Sequence, residues 1–453
     1  MEKNLTNGSV FKNIIYFSLP YLLSYFLQTL YGMADLFIIG QYEPVEATTA
    51  VSIGSQVMHM LTVMIVGLAM GTTVCIGQAV GAGNKKRISA CIGNTVTLFA
   101  GVSIVITVIL LLLVRPIVHV MSTPDKAVDG TVNYLTICFV GIPFITAYNI
   151  ISSIFRGLGD SKSPMYFIAV ACAANIGLDY LFIGAMRLGP AGAALGTTIS
   201  QAISVIVSLA VILKKNSGIS VKKADLHPVG SVMGDILKIG VPVALQDGFI
   251  QVSFIVITII ANKRGLTDAA AVGIVEKIIS FVFLVPSTMI STVSALGAQN
   301  IGAGKPERAV KTLKYAMLIA VSFGFIVTVL VQFLAEPTVG LFTPDKAVIV
   351  SGGQYFRSYI LDCMLACVHF CFSGYFCACG KSGISFLHNF LSIIFVRIPG
   401  AYLASKFYPH TLFPMGLATA AGSLLSIIVC VTAFYIISHK NREKVYGGAP
   451  DAA

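Results

Sequence analysis

Charge is scarce in this chain. Only 11% of its 453 residues are Asp, Glu, Lys or Arg, against about 25% in an ordinary soluble domain, and that excludes an ordinary water-soluble globule. Alternation is missing too: runs such as Val102-Ser-Ile-Val-Ile-Thr-Val-Ile-Leu-Leu-Leu-Leu-Val114 do not alternate, as the strands of a membrane β-barrel would. No His-Glu-X-X-His, Gly-X-Ser-X-Gly or dinucleotide fingerprint occurs. Gly374-Tyr-Phe-Cys-Ala-Cys-Gly-Lys-Ser382 imitates a phosphate loop, but it has five residues between its glycines and follows an apolar helix rather than a strand. There is no room for a soluble ATPase domain, and no nucleophile–base pair or ligand set shares one depth. We therefore expect neither an enzyme nor a cofactor. A cleavable signal is not evident, because the first apolar stretch is long and lacks a small-residue cleavage site.

What is present is apolar and doubled. Hydrophobic residues make up 56% of the chain, and runs of about 20, enough to cross a hydrocarbon core, recur throughout. Thr123-Pro-Asp-Lys-Ala-Val128 returns unchanged as Thr343-Pro-Asp-Lys-Ala-Val348. Gly81-Ala-Gly83 returns as Gly302-Ala-Gly304, Pro20 as Pro242, and Gly159-Asp-Ser161 as Gly380-Lys-Ser382. One unit of about 220 residues has been used twice, the pattern of a transporter built from two halves.

Glycine, proline and charge breaks predict twelve spans. They fall at 14–39, 48–80, 88–114, 128–155, 163–183 and 192–213, then 234–260, 269–296, 310–333, 354–379, 384–404 and 414–437. The fold class is thus an all-α polytopic membrane protein with twelve transmembrane helices in two six-helix lobes related by pseudo-twofold symmetry. The N-lobe is 1–213, a linker follows at 214–233, the C-lobe is 234–440, and 441–453 is a tail. Lys85, Lys86, Arg87, Lys162, Lys214, Lys215, Lys222, Lys223, Lys305, Arg308 and Lys381 crowd the even-numbered loops and linker. By the positive-inside rule both termini are cytoplasmic. The net charge of +11 is then topological, and nucleic acid is not an expected partner. The sequons at Asn4 and Asn7 fall in the cytoplasmic tail and are read as chance. The ten cysteines, Cys363, Cys367 and Cys371 among them, read as small packing residues rather than metal ligands.

Ionisable groups inside spans are costly, which marks Asp35, Asp179, Asp247, Glu276 and Asp362, with Lys277 and Arg397. Asp35, Asp179 and Thr197 fall at one level, about 6–8 Å below the outer boundary at ~1.5 Å per residue. Asn175 lies one helical turn before Asp179, on the same face. Two carboxylates in low dielectric do not easily both stay ionised, so one is expected to hold a proton near neutrality, or a sodium ion to sit among these oxygens. Tyr31 and Gln28 extend the polar line of the first span. Pro20 interrupts that span's hydrogen-bond ladder and offers a hinge. Phe26, Tyr31, Phe37 and Tyr134 are candidate aromatic lining for a lipophilic cation. Glu276 and Arg397 are expected to form a structural pair.

Gly77-Gln-Ala-Val-Gly-Ala-Gly-Asn84, Gly297-Ala-Gln-Asn-Ile-Gly-Ala-Gly-Lys305, Arg156-Gly-Leu-Gly-Asp-Ser-Lys162 and Arg397-Ile-Pro399 resemble the motifs of the multidrug and toxic compound extrusion (MATE) family, in order and in both halves. The resemblance implies a monomeric plasma-membrane exporter, in contact with membrane lipids, that exchanges lipophilic, often cationic, drugs for H+ or Na+. It implies coupling at Asp35, Asn175, Asp179 and Thr197, with Gln28, Tyr134 and Asn149 nearby, and Tyr31 joins these as cavity lining. The metal expectation is Na+ at the same four coupling residues. Acids on the seventh and tenth spans serve sodium-coupled relatives, but Asp247 and Asp362 are off register for that role. The alternative is a flippase for lipid-linked precursors, which would need several basic side chains in its cavity.

Overall fold

The computed structural model describes residues 5–214 and 222–446. Asn4, Lys215 and residues 447–453 of the expected tail lie outside the described residues. The described chain is helical nearly throughout: α1 (Val10–Tyr42), α2 (Val45–Gly81), α3 (Lys85–Val120), α4 (Asp125–Val140), α5 (Ile142–Gly157), α6 (Lys162–Asp179), α7 (Gly189–Lys214), α8 (Gly230–Asn262), α9 (Leu266–Val282), α10 (Leu284–Gly302), α11 (Pro306–Gly340), α12 (Lys346–Ala378), α13 (Ser382–Ser392), α14 (Ile398–Phe407) and α15 (Phe413–Tyr446). Wider π-helical turns follow α6 at Tyr180–Ala185 and α13 at Ile393–Arg397.

Among the described residues, eleven helices are long and apolar enough to cross a membrane, and α4 with α5 makes a twelfth span bent by 48°. The bend has a chemical cause. Pro143 lacks an N–H and its ring crowds the carbonyl four residues back, so the ladder breaks at Gly141. The helices also outrun the predicted spans at many ends. Hydropathy stops at the first charges, whereas backbone hydrogen bonding continues to the next cap. Ser9 accepts the Lys12 N–H at the start of α1, and Asn84 accepts that of Arg87 at the start of α3. Pro20 and Pro242 sit inside continuous helices.

The repeated loops share one local geometry. Gly83 and Gly304 take φ of 65° and 69°, the left-handed region that a side chain disfavours. The N–H groups of Asn84 and Gly83 reach back to Ala79 and Val80, and those of Lys305 and Gly304 to Asn300 and Ile301. Both are glycine-terminated helix ends of the Schellman type.

Contacts divide the chain into two compact units. Among the described residues, one holds those up to Gly248 with Ser291–Thr312 and Ala378–Gly380; the other holds Phe249–Ile290, Leu313–Cys377 and those from Lys381 onward. In the first unit the apolar core is built on Ile38, Ile39, Val51, Leu135, Phe139, Ile142 and Ile183. There the described part of the linker is tied to α3: Asn94 Oδ1 accepts the Val229 N–H at 2.7 Å, and Thr97 donates to the Leu226 carbonyl at 2.7 Å. In the second unit the core gathers Val272, Val275, Ile279, Tyr355, Tyr359 and Cys363.

Candidate functional site

Three helices of the first unit converge on two acids. α1 carries Asp35, α6 carries Asn175 and Asp179 one turn apart, and α7 carries Thr197. Asp35 is 3% exposed, and Asn175 and Asp179 are fully buried. Thr197 Oγ1 donates to Asp35 Oδ2 at 3.1 Å. The Asp35 carboxyl also adjoins Asp179 and Asn175. Close packing depends on Gly196, because a Cβ there would run into Asp179 Oδ1. Asp179 also stands immediately before the π-turn, a feature common at functional sites.

The satisfaction of these groups is incomplete. Asp35 Oδ1, both Asp179 oxygens and both amide atoms of Asn175 find no hydrogen-bond partner among the described residues. Buried polar atoms are ordinarily paired, so this cluster has capacity for something more. A proton shared between the carboxyls would satisfy it. So would a small hard cation, since the spare atoms are mostly carboxyl and amide oxygens. Among the described residues, no group of three or more His, Cys, Asp or Glu side chains is arranged for a metal.

The remaining sequence candidates are dispersed. Gln28 and Tyr31 are half-buried on α1, and Phe26 and Phe37 are exposed. Tyr134 is 2% exposed, its ring lies against Gly54, and its hydroxyl meets Ser55 Oγ at 3.1 Å. Asn149 turns its amide to the Ile145 carbonyl of its own helix at 2.8 Å. Asp247 is half-buried on α8 with its carboxylate over Gly67 of α2.

The second unit corrects one pairing. Arg397 does not pair with Glu276; its Nη2 meets Asp362 Oδ2 at 2.7 Å and Ser423 Oγ at 3.3 Å. Glu276 instead accepts the Thr258 hydroxyl at 3.2 Å. Spacing along the chain does not reveal which faces of α9, α12 and the Ile393–Arg397 turn meet. The network continues through His369, whose Nε2 lies 3.2 Å from Ser423 Oγ, to His388, hydrogen-bonded to Ser373 at 2.8 Å. Both histidines are buried, and neither stands among the sequence candidates. Their signal was present: His369 lies seven residues after Asp362, two turns along one helix face.

Long apolar helices that enclose buried carboxylates define a polytopic membrane protein. The MatE family profile matches residues 20–181 and 242–403, one match in each half. The chain belongs to the MatE family. It is 28% identical over 403 residues to the probable multidrug resistance protein YpnP of Bacillus subtilis (strain 168), covering 89% of this chain and 90% of the relative. To the probable multidrug resistance protein NorM of Thermotoga maritima it is 25% identical over 409 residues, 88% and 86% of the two chains. Its fold matches a multidrug resistance MATE family transporter of the MOP superfamily in an outward-facing conformation, with a TM-score of 0.90 and 21% identity across 97% of this chain and 98% of that one.

Proposed function

We propose that this protein is a secondary active efflux transporter of the cell membrane that exports lipophilic, often cationic, compounds in exchange for H+ or Na+. The observation that carries the reading is the buried Asp35–Asp179 cluster, which has polar atoms to spare inside an apolar bundle. Relatives named as multidrug resistance and multidrug export proteins support the substrate class. In this reading residues 1–213 and 234–440 are two lobes that alternate access, with both termini cytoplasmic. Cargo enters from the cytoplasm or inner leaflet. Uptake of the ion from outside at Asp35, Asn175, Asp179 and Thr197 alters α1 and expels the cargo. Each unit charge returning inward contributes about 2.3 kcal/mol per 100 mV. The same carboxylates favour a cationic drug when ionised and lose that charge when the ion binds, so competition yields exchange.

A flippase for lipid-linked precursors is the weaker reading. It requires uncommitted cationic side chains for a pyrophosphate, and Arg397 is committed to Asp362.

The test is ethidium efflux from proteoliposomes driven separately by a proton and a sodium gradient, comparing wild type with Asp35→Asn and Asp179→Asn. Loss of coupled efflux in both correctly folded variants supports the site, and the gradient that drives the wild type names the ion. Unchanged efflux in both sinks the site.

A further inference from the structure

Residues Leu5 to Gly8 precede the first helix, yet they are held tightly. Leu5 is 1% exposed and Thr6 is 6%. The Leu5 N–H donates to Gln299 Oε1 at 3.1 Å, and Gln299 Nε2 donates to the Gly157 carbonyl at 3.1 Å. One fully buried amide thus joins the N-terminal segment, the end of α5 and the end of α10. Asn13 Nδ2 on α1 donates to the Leu5 and Asn7 carbonyls at 3.1 and 3.0 Å. From the start of the next helix, Lys305 Nζ donates to the Thr6 carbonyl at 3.1 Å and Arg308 Nη2 to the Asn7 carbonyl at 2.9 Å. The last two are charge-assisted and stronger than neutral hydrogen bonds.

This strap lies at the end of the first unit where the two Gly-Ala-Gly loops meet. A Cβ on Gly81 would run into the Gln299 carbonyl, and a Cβ on Gly302 into that of Gln78. Gln78 Nε2 donates to the Ala378 carbonyl at 2.9 Å. The ends of α2 and α10 are therefore in backbone contact, and the strap ties their surroundings together. Opening this end requires α2 and α10 to part, which breaks the Leu5–Gln299–Gly157 bridge.

We propose that Leu5–Gly8 is a latch on the cytoplasmic end of the transport path, with Gln299 as its positioning residue. The inference rests on the transport reading for its purpose, but not for its test. The segment is bound mainly through its backbone groups, with the Asn7 amide oxygen also accepting from Lys305 Nζ at 3.0 Å, so the latch releases and re-forms as one piece when the helix ends part and meet.

The test uses the full-length protein in detergent with its native cysteines. Cys75 is buried on α2, in the electrostatic range of Arg87, Cys91 and Asp235. Cys75 stands between Gly71, which lies on the Ile236 carbonyl of α8, and Gly77, which lies on Ala298 of α10, so release of the α2 end from these neighbours is expected to expose it. Maleimide labelling is read peptide by peptide by mass spectrometry in wild type, Leu5→Asp and Gln299→Leu. We expect Cys75 labelling to rise about tenfold in both variants, a shift of ~1.4 kcal/mol, with Cys138 and Cys430 unchanged as buried controls and the thermal midpoint held. Unchanged Cys75 labelling in both folded variants overturns the latch. A parallel rise at Cys138 and Cys430 overturns it as well, since that is general loosening. Wild type that exports no dye while Cys75 still responds defeats the transport reading and leaves the latch standing.

Discussion

Thr197 donates its hydroxyl proton to Asp35 across 3.1 Å, linking α7 to α1 beside the buried Asp179. This bond holds Asp35 at a fixed position while leaving Oδ1 uncommitted. Thr197→Val keeps the volume and removes the donor. We expect dye efflux in proteoliposomes to fall severalfold in Thr197→Val and to recover in Thr197→Ser. Equal loss in both variants would assign the effect to packing.

Gly196 gives the same site its tightness. A methyl at this position would displace the Asp179 carboxyl, and overpacking of this kind costs about 1–3 kcal/mol. Gly196→Ala is expected to lower the thermal midpoint measurably and to reduce ion-driven efflux more than it reduces the amount of folded protein. Efflux falling only in proportion to folded protein would rule out displacement of the carboxyl as the cause.

In the second unit the Arg397–Asp362 pair is deeply buried, with side-chain exposures of 11% and 0%. Removing one partner strands the other charge, at a cost of about 3–5 kcal/mol. Asp362→Asn and Arg397→Met should each unfold at markedly lower temperature in detergent, and the double variant should regain much of the loss. A double variant no better than either single one would mean that Ser423 and His369, rather than the ion pair, hold this region.

Cys379 offers a test of orientation. Nine of the ten cysteines are buried, and Cys379 is half-exposed beside the Gly380-Lys-Ser loop that the sequence places inside. An impermeant maleimide should label Cys379 rapidly in inverted vesicles and slowly in intact cells. The opposite pattern would invert the proposed topology.

The doubled motifs and the length of the apolar runs made the helical architecture legible, because both are local in sequence. Depth counting placed Asp35, Asp179 and Thr197 at one level, and the structure sets the Thr197 hydroxyl on Asp35. Three things escaped that kind of reading. The choice of Asp362 over Glu276 by Arg397 depends on helix rotation, which packing within the second unit fixes. The sequence suggests Tyr134 as cavity lining, whereas its burial against Gly54 depends on a glycine 80 positions away. The N-terminal strap is bound mostly through its main-chain carbonyls and amides, which carry no sequence signature.

The approach of Gly81 to the Gln299 carbonyl, and of Gly302 to that of Gln78, is one contact written twice. In each half a glutamine precedes its glycine by three residues, and each half supplies the hollow that receives the other's backbone. A seam of that kind is isologous, as in a twofold dimer. The close approach therefore has two equivalent points of failure, because a methyl on either glycine would meet backbone.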